Sequence, residues 1–217
     1  MEIETPLMPN PYQELPYLII EDLFDEQLCR QVVNTVQADN DAQAAKLRSR
    51  TRKLDRNIRK TNIHTLSAPH QSLYDEAFEK ARPQIEAYFA LSLTTSTAVQ
   101  VLEYTKNSFY ISHADDSSMI VDEQGDIVAF KQVAPQRKIS TVLFMSEYSE
   151  EVKDGYHFNG GELAFNYFKD REGNTVMLRP KMGMMIAFAS NPIYTHEVKE
   201  VNEGYRLTLV QWHDALL

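Results

Sequence analysis

The chain has 217 residues, one cysteine and a formal charge of −9, and 43% of its residues are hydrophobic. This length and apolar content fit one large domain with a buried core and exclude global disorder. The single cysteine, Cys29, excludes a disulfide-stapled secreted module and a cysteine-rich zinc site. No apolar run is long enough to span a bilayer, and the acidic start Met1–Thr5 is unlike a signal peptide. We therefore expect a cytoplasmic protein with no membrane partner.

The net charge hides one strongly basic segment. From Lys46 to Lys60 eight cations stand against one acid, Asp55, giving about +7, whereas the rest of the chain carries −16. This segment is interpreted in three ways: as a solvated face, as a rim that attracts an acidic substrate, or as a nucleic-acid contact. The third is disfavoured because the segment has no aromatic residue for base stacking and the rest of the chain is acidic.

The first half of the chain predicts a strand and two helices. Leu15–Asp22 is typical of a short strand, and Asp25 is typical of a helix N-cap. The apolar stripe of the first helix is Leu28, Val32, Val33 and Val36. A second helix is predicted after Ser67, and Pro83 should kink or break it. Its apolar residues recur at four-residue spacing, namely Leu73, Ala77, Ala81, Ile85 and Phe89.

From about residue 96 the pattern changes to short strands separated by turns. The predicted strands are Ala98–Tyr104, Ile120–Phe130, Ile139–Phe144, Glu162–Tyr167, Thr175–Leu178, Met184–Phe188 and Tyr205–Trp212. Glu123–Asp126 interrupts the second of these and predicts a hairpin. Helices followed by many short strands indicate an α+β fold. We expect a single domain, 1–217, in which 1–95 form a helical support and 96–217 a barrel or sandwich.

A set of polar residues in the second half is typical of a metal site. His113 and Asp115 are two positions apart, so in extended backbone their side chains point to the same side. His196 follows later, and two imidazoles with one carboxylate form the facial triad of non-haem Fe(II) oxygenases. Arg206, ten residues further on, is suited to hold the carboxylate of a co-substrate. The His-x-Asp spacing alone is frequent by accident, so the surrounding residues decide its meaning.

Several spaced motifs surround these residues in a fixed order. They are Tyr104-x-x-Asn107-x-x-Tyr110-x-x-His113-x-Asp115, Arg137-x-x-Ser140, Gly160-Gly161-Glu162-Leu163, Pro180-x-x-Gly183, His196-x-Val198-x-x-Val201-x-x-Gly204-x-Arg206 and Trp212. Over roughly residues 96–213 this order resembles the prolyl 4-hydroxylase-like branch of the Fe(II)- and 2-oxoglutarate-dependent dioxygenases. The resemblance implies a double-stranded β-helix, a cupin-like jelly roll, backed by N-terminal helices.

The resemblance also implies a role for each matched residue. The implied Fe(II) ligands are His113, Asp115 and His196. Arg206 stands where the family holds the distal carboxylate of 2-oxoglutarate, and the residues beside it on the co-substrate are Tyr104 and Thr208. The residues implied to line the substrate side are Tyr110, Arg137 and Trp212. The remaining histidines are assigned no ligand role: His157 is expected in an exposed loop, and no carboxylate at ligand spacing is apparent for His64, His70 or His213.

Three features depart from the family pattern. Asn107 replaces a common glycine, and Phe144 stands where some relatives have a tyrosine that contacts the co-substrate. Residues 116–136 are longer than in compact members. Because this segment directly follows the predicted ligand Asp115, we expect it to form a lid over the site.

The resemblance implies Fe(II), 2-oxoglutarate and O2 as cofactor and co-substrates, with ascorbate as a further cofactor. The expected reaction is hydroxylation of an aliphatic C–H, first of all in a prolyl residue of a peptide or protein. Halogenating relatives replace the carboxylate ligand by a small residue, so the intact Asp115 favours hydroxylation. One alternative is a hydroxylase of a free amino acid or small biosynthetic metabolite. An alternative from another class is a non-catalytic metal-binding jelly-roll module.

Overall fold

The computed structural model describes residues 7–46 except 12, and residues 59–216 except 125. Most of the basic segment Lys46–Lys60 therefore lies outside the described residues. No described helix is long and apolar enough to cross a membrane. The described elements are β1 (Leu18–Ile20), α1 (Glu26–Lys46), β2 (Arg59–Lys60), β3 (Asn62–Thr65), α2 (Ala68–Phe89), β4 (Ser92–Ser96), β5 (Gln100–Tyr104), β6 (Phe109–His113), β7 (Ser117–Val121), β8 (Ile127–Gln132), β9 (Ile139–Phe144), β10 (Glu147–Tyr148), β11 (His157–Gly160), β12 (Leu163–Lys169), β13 (Thr175–Leu178), β14 (Met185–Ala189), a 3₁₀ turn (Pro192–Tyr194), β15 (His196–Val198), β16 (Val201–Gly204) and β17 (Arg206–Leu216).

Two sheets make up the body of the molecule. The larger has the order β1-β14-β9-β17-β5-β3, with β4 also paired to β17, and the smaller has the order β13-β12-β15-β6-β2. Two further sheets are described, β10-β11-β16 and the hairpin β7-β8. The two main sheets face each other across an apolar core, as in a double-stranded β-helix. The predicted α+β jelly roll with supporting helices is therefore confirmed.

The central strands of the larger sheet are buried on both faces. All six residues of β9 are buried. Ile139 and Leu143 pack in a cluster shared with the helices, whereas Val142 and Phe144 pack in a second cluster between the two sheets. Successive side chains of a strand point to opposite faces, so one strand serves both clusters. This double burial explains why the strand has a continuous apolar sequence.

Most predicted strands occur with bounds shifted by a few residues. β9 and β13 have the predicted bounds, and the predicted hairpin around Glu123–Asp126 is found as β7 and β8. Short strands such as β10 and β15, of two and three residues, were not predicted. Segments this short are too brief to show a period of two. Strands β1 to β4 show that the region before residue 96 also contributes to the sheets.

Helix α1 begins as predicted. The backbone N–H of Leu28 donates to Asp25 Oδ1 at 2.7 Å, which is the expected N-cap contact. Val32, Val33 and Val36 are buried in the cluster beneath the larger sheet. The apolar stripe therefore attaches this helix to the sheet.

Helix α2 differs from the prediction in two respects. Its buried residues are Tyr74, Phe78, Ala81 and Ile85. Leu73, predicted to be buried, is 43% exposed, because the larger rings at the neighbouring positions take the interior. The predicted break at Pro83 is also wrong, since the helix continues through it to Phe89. Buried residues on both sides of the proline hold the two parts against one core.

A glycine allows α1 to approach the turn before β14. Gly183 has φ +80°, and a Cβ there would lie 2.0 Å from the carbonyl oxygen of Phe24. Its own carbonyl accepts a hydrogen bond from Leu23 N at 2.9 Å. The Sγ of Cys29 lies 3.8 Å from the position that a Cβ would take at Gly183, and Cys29 is completely buried. Glycine is therefore required where the helix and the sheet meet.

Candidate active site

The predicted His/Asp group assembles at the end of the smaller sheet. His113 is the last residue of β6 and pairs directly with His196, the first residue of β15. Asp115 follows β6 by two residues. His113 Nε2 lies 3.7 Å from Asp115 Oδ1, and His196 Nε2 lies 3.9 Å from Asp115 Oδ2. The three potential ligand atoms lie within 4.8 Å of one another, and no other described group of three such residues does so.

Backbone carbonyls orient both imidazoles. His113 Nδ1 lies 2.9 Å from the carbonyl oxygen of Ile111, and His196 Nδ1 lies 2.9 Å from that of Tyr194. A carbonyl oxygen only accepts hydrogen bonds, so Nδ1 carries the proton in both rings. The lone pair is then on Nε2, the atom that faces Asp115. This tautomer is the one a metal ion requires.

Asp115 is largely buried and held at several atoms. Ser140 Oγ donates to its Oδ2 at 2.6 Å, and Arg137 donates to its backbone oxygen at 2.9 Å. Burial by itself raises the pKa of the carboxyl group, but the neighbouring imidazoles of His196 and His113 and hydrogen bonding from Ser140 and Trp212 lower it below its usual value. The carboxylate is therefore present at neutral pH.

Arg206 is a buried cation close to this triad. It begins β17, pairs with Tyr104 of β5, and is 1% exposed. Among the described residues no carboxylate forms an ion pair with it, and its Nε has no hydrogen-bond partner. Its guanidinium carbon lies 4.8 Å from the ring centre of Tyr104 and 5.3 Å from that of Phe144. Burial lowers its pKa to about 10, so the side chain is still charged at neutral pH.

One cavity connects these groups. Its volume is about 260 Å³, and all nine residues predicted for the site line it. They are His113, Asp115, His196, Arg206, Tyr104, Thr208, Tyr110, Arg137 and Trp212. The cavity also has an apolar wall that the motifs did not predict, which includes Leu102, Val142 and Val210. Strand alternation could have found Leu102 and Val210, since each lies two positions from a predicted site residue on the same strand face.

Two stacked pairs form the half-buried side of the cavity. The ring of Tyr110 stacks on His113 with centroids 3.7 Å apart. The guanidinium of Arg137 lies 3.9 Å from the ring centre of Trp212. Among the described residues, Nε of Arg137 is buried without a hydrogen-bond partner. The indole of Trp212 points its N–H toward Asp115 and helps to lower the pKa of that carboxyl group. This side of the cavity therefore offers an aromatic surface and hydrogen-bond donors.

The two single-residue departures from the family pattern have structural counterparts. Asn107 adopts φ +62°, a left-handed conformation that asparagine tolerates better than other non-glycine residues. Asparagine can therefore replace glycine there without changing the turn. Phe144 is completely buried beside Arg206, where it contributes a ring face and no hydroxyl group.

All four other histidines have partners outside the cavity, and that of His70 is Ser67 Oγ, 2.9 Å from its Nδ1. His64, for which the sequence shows no carboxylate at ligand spacing, has Nε2 3.0 Å from Glu103 Oε2. His157 lies in β11, not in a loop, with Nδ1 2.6 Å from Asp154 Oδ1. His213 is completely buried and contacts Ser96 and Thr141. The His64 contact joins strands distant in sequence, which residue spacing does not reveal.

Comparison with known proteins agrees with this geometry. The family model described as the 2OG-Fe(II) oxygenase superfamily matches residues 99–214. Prolyl 3-hydroxylase 2 of Mus musculus is 27% identical over 149 residues, covering 64% of this chain and 20% of that protein. The Homo sapiens protein of the same name gives the same identity and coverage. The chain thus spans about a fifth of the length of the curated relatives it matches.

Solved structures with a similar fold include prolyl hydroxylases. A prolyl-4-hydroxylase from Pseudomonas putida has a TM-score of 0.60 at 19% identity, covering 91% of each chain. A viral collagen prolyl hydroxylase from Paramecium bursaria Chlorella virus 1, in a 2OG complex, has a TM-score of 0.61 at 16% identity, covering 92% of this chain and 96% of that one. A Trichoplax adhaerens prolyl hydroxylase, in complex with a hypoxia-inducible factor peptide, has a TM-score of 0.59 at 18% identity, covering 91% and 83%.

A jelly roll with a His/Asp/His group at its open end is the architecture of a non-haem oxygenase. The chain belongs to the 2OG-Fe(II) oxygenase superfamily and has the fold of the prolyl 4-hydroxylase-like branch.

Proposed function

We propose that the protein is an Fe(II)- and 2-oxoglutarate-dependent hydroxylase of a prolyl residue in a peptide or protein. The observation that carries the proposal is that Arg206, a buried cation without an ion-pair partner among the described residues, shares one cavity with the His/Asp triad. The prolyl hydroxylases among the relatives support the substrate class. A cytoplasmic location and a requirement for ascorbate stay predictions.

The triad fits Fe(II) in the chemistry of its donors. Two neutral imidazoles and one carboxylate would hold one face of the ion, leaving open positions on the other. Bound Fe(II) supplies the activation of O2 that is coupled to oxidation of 2-oxoglutarate to succinate and CO2. The protein keeps each Nδ1 proton on a backbone carbonyl, so both rings stay fixed while their Nε2 atoms serve as ligands.

Arg206 would bind the carboxylate of 2-oxoglutarate that lies away from the metal. A guanidinium forms short, charge-assisted hydrogen bonds to a carboxylate, and burial strengthens them because water is excluded. Tyr104 and Thr208 line the same cavity and contribute hydroxyl groups beside it. The ring faces around Arg206 keep it in place before the co-substrate arrives.

The size of the cavity favours a substrate that inserts one small group. A volume of about 260 Å³ is near the lower end of ordinary ligand pockets, about 300–1,000 Å³. It suits a small dicarboxylate together with a ring such as that of proline, so the rest of a peptide must lie outside. Tyr110, Arg137 and Trp212 would then position the ring and the adjoining backbone. A free amino acid fits the same space and is the alternative substrate.

The first test is anaerobic addition of Fe(II) and then 2-oxoglutarate to metal-free protein, followed by visible absorption. We expect a metal-to-ligand charge-transfer band that titrates with 2-oxoglutarate. Arg206→Ala should raise the 2-oxoglutarate Kd roughly 10- to 100-fold, the loss expected for one charged hydrogen-bonding partner. Asp115→Ala should bind Fe(II) poorly and give no band at the same concentrations.

The control for Arg206→Ala is Arg179→Ala, which removes an exposed arginine paired with Glu150. It should leave the titration unchanged. Equal 2-oxoglutarate affinity in wild type and Arg206→Ala would reject the role of Arg206. Tight zinc binding without any 2-oxoglutarate decarboxylation would support the non-catalytic metal-binding module instead. Succinate formation driven by proline-containing peptides and not by free amino acids would separate the two substrate classes.

A further inference from the structure

We propose that Ser140 and Ser190 are positioning residues that hold Asp115 so that one carboxylate oxygen faces the metal. The two hydroxyls form a chain that ends on this carboxylate, and their removal should weaken and distort metal binding. This inference rests on the proposed function for the identity of the metal.

The direction of the hydroxyl chain follows from the donors available. Ser140 Oγ lies 2.6 Å from Asp115 Oδ2 and 2.8 Å from Ser190 Oγ. An ionised carboxylate only accepts, so the single proton of Ser140 points to Asp115. Ser140 must therefore accept from the hydroxyl of Ser190. A donor that itself accepts a hydrogen bond is polarised and binds its acceptor more strongly.

Both serines are inaccessible to water. Ser140 is 0% exposed on β9, and Ser190 is 1% exposed in the segment after β14. Two hydroxyl groups in an apolar interior lose their water contacts, so each needs a partner inside the protein. Their partners are each other and Asp115. The two serines therefore belong to a buried hydrogen-bond network that ends at Asp115.

The backbone of Ser190 binds the same residue. Its carbonyl oxygen accepts from Asp115 N and from Asp116 N, each at 3.1 Å, and its N–H donates to Lys138 O at 3.0 Å. The segment that contains Ser190 leads through the 3₁₀ turn to His196. Ser190 thus connects the backbone of Asp115 to the segment that leads to His196. The distance between these two predicted ligands, which are far apart in sequence, therefore depends on Ser190.

The hydrogen bond from Ser140 fixes how the two carboxylate oxygens face the imidazoles. Oδ2 accepts from Ser140 and lies 3.9 Å from His196 Nε2, whereas Oδ1 lies 3.7 Å from His113 Nε2. A carboxylate without this bond can turn and bind a metal through both oxygens. That would occupy a position which a chelating co-substrate needs. Outer hydrogen-bond partners of metal ligands typically change metal affinity 10- to 100-fold when they are removed.

The test is a Co(II) titration of metal-free protein, monitored by the visible spectrum of the bound ion. Ser140→Ala should weaken Co(II) binding about 10- to 100-fold and change the spectrum at saturation. Ser190→Ala, which keeps its backbone contacts, should have a smaller effect in the same direction. The double variant should be no weaker than Ser140→Ala, because Ser190 acts through Ser140.

Ser108→Ala is the matched control. Ser108 is buried, and its Oγ accepts from Thr105 N at 3.1 Å, away from the triad. It should bind Co(II) as wild type does. Ser140→Thr restores a hydroxyl and should recover the wild-type spectrum, which a merely space-filling role would not require. Wild-type affinity and spectrum in both Ser140→Ala and Ser190→Ala would overturn the inference.

The readout separates this inference from the proposed function. Co(II) binding that depends on Ser140 in a protein without 2-oxoglutarate turnover would support the inference and reject the proposed reaction. Full turnover in the wild type, together with unchanged Co(II) affinity in the serine variants, would support the proposed function and reject the inference about the serines.

Discussion

His213 is a histidine that the interior keeps neutral. Its Nδ1 lies 2.8 Å from Ser96 Oγ and its Nε2 2.9 Å from Thr141 Oγ1. The ring stacks on Phe78 with centroids 4.5 Å apart. Burial lowers its pKa to about 3, and the charge of Arg82 acts in the same direction. A proton that the unfolded chain accepts near pH 6.5 is therefore refused by the folded protein.

This difference predicts how stability depends on pH. Between about pH 6.5 and about pH 3 the unfolded chain binds a proton at this residue and the folded protein does not. The free energy of unfolding should therefore decrease as pH falls, by at most about 1.4 kcal/mol per pH unit from this group. His213→Gln should have a flatter profile in urea unfolding over this range. Profiles with equal slopes would show that His213 is not the source.

Individual residues of the site differ in whether the sequence predicts them. The order of motifs predicted which nine residues gather at one cavity, although their individual roles stay predictions. The motifs included Ser140, in Arg137-x-x-Ser140, but gave no sign of its partner Ser190, which is 50 positions away and belongs to none of them. The partners of His213 were hidden for the same reason. Contacts between residues that are distant in the chain produce no periodic pattern in the sequence around either residue.

The hairpin β7-β8 is an element with little support of its own. Its strands pair only with each other among the described residues, and its exposed apolar side chains include Ile120, Val121 and Val128. A two-stranded sheet in water is marginally stable. Its base, however, is fixed at Asp116, whose backbone oxygen accepts from Val133 N at 2.8 Å and Ala134 N at 2.9 Å. The hairpin therefore projects from the residue next to Asp115.

We expect this hairpin to act on the substrate and not on the metal. A variant in which residues 119–130 are replaced by a two-glycine turn keeps Asp116 and its contacts. Its Fe(II) and 2-oxoglutarate affinities should stay within about twofold of wild type, while the KM of a peptide substrate rises about tenfold, equivalent to about 1.4 kcal/mol of lost contact. Succinate assays with and without peptide measure both effects.

A second variant tests whether side chains of the hairpin make this contact. Ile120→Thr with Val128→Thr keeps the hairpin and changes two exposed apolar residues. A smaller rise in peptide KM is expected. If the shortened variant hydroxylates peptide as wild type does, residues 116–136 are not a lid.

Elements differ in how well the sequence predicted them. The stripe of α1 was predicted correctly because its valines have no competing face. In α2 the predicted row at four-residue spacing drifts around the helix, because one turn has 3.6 residues. Leu73, at the start of that row, therefore lies off the buried face formed by Tyr74, Phe78, Ala81 and Ile85. The interior accommodates the face with the larger rings. Burial in the assembled fold decides such cases, and a helix examined alone lacks that information.

At the scale of the whole molecule the larger sheet joins two apolar clusters. One lies between this sheet and the helices, and the other lies between the two main sheets and reaches the cavity. Because β9 contributes to both clusters, we expect the helices and the strands around the cavity to unfold together. We propose that the chain is one cooperative domain.

Phe78→Ala tests this cooperativity. It should lower the free energy of unfolding by about 3–5 kcal/mol, the usual loss for a buried phenylalanine. Circular dichroism of the helices and fluorescence of Trp212, the single tryptophan, should then report one shared midpoint. Leu73→Ala, on the exposed side of the same helix, should change stability by at most about 0.5 kcal/mol. Separate midpoints would instead show that the helical region unfolds alone.

The thiol beneath the Gly183 turn has a practical consequence. Burial raises the pKa of Cys29 to about 12, with the charges of Asp25 and Glu26 acting in the same direction. Almost no thiolate exists at neutral pH, and thiolate is the form that oxidants and alkylating reagents attack. The folded chain therefore exposes no sulfhydryl group, since Cys29 is its single cysteine. The rate at which Cys29 is alkylated therefore measures how often α1 separates from the sheet, and no cysteine has to be introduced for the experiment.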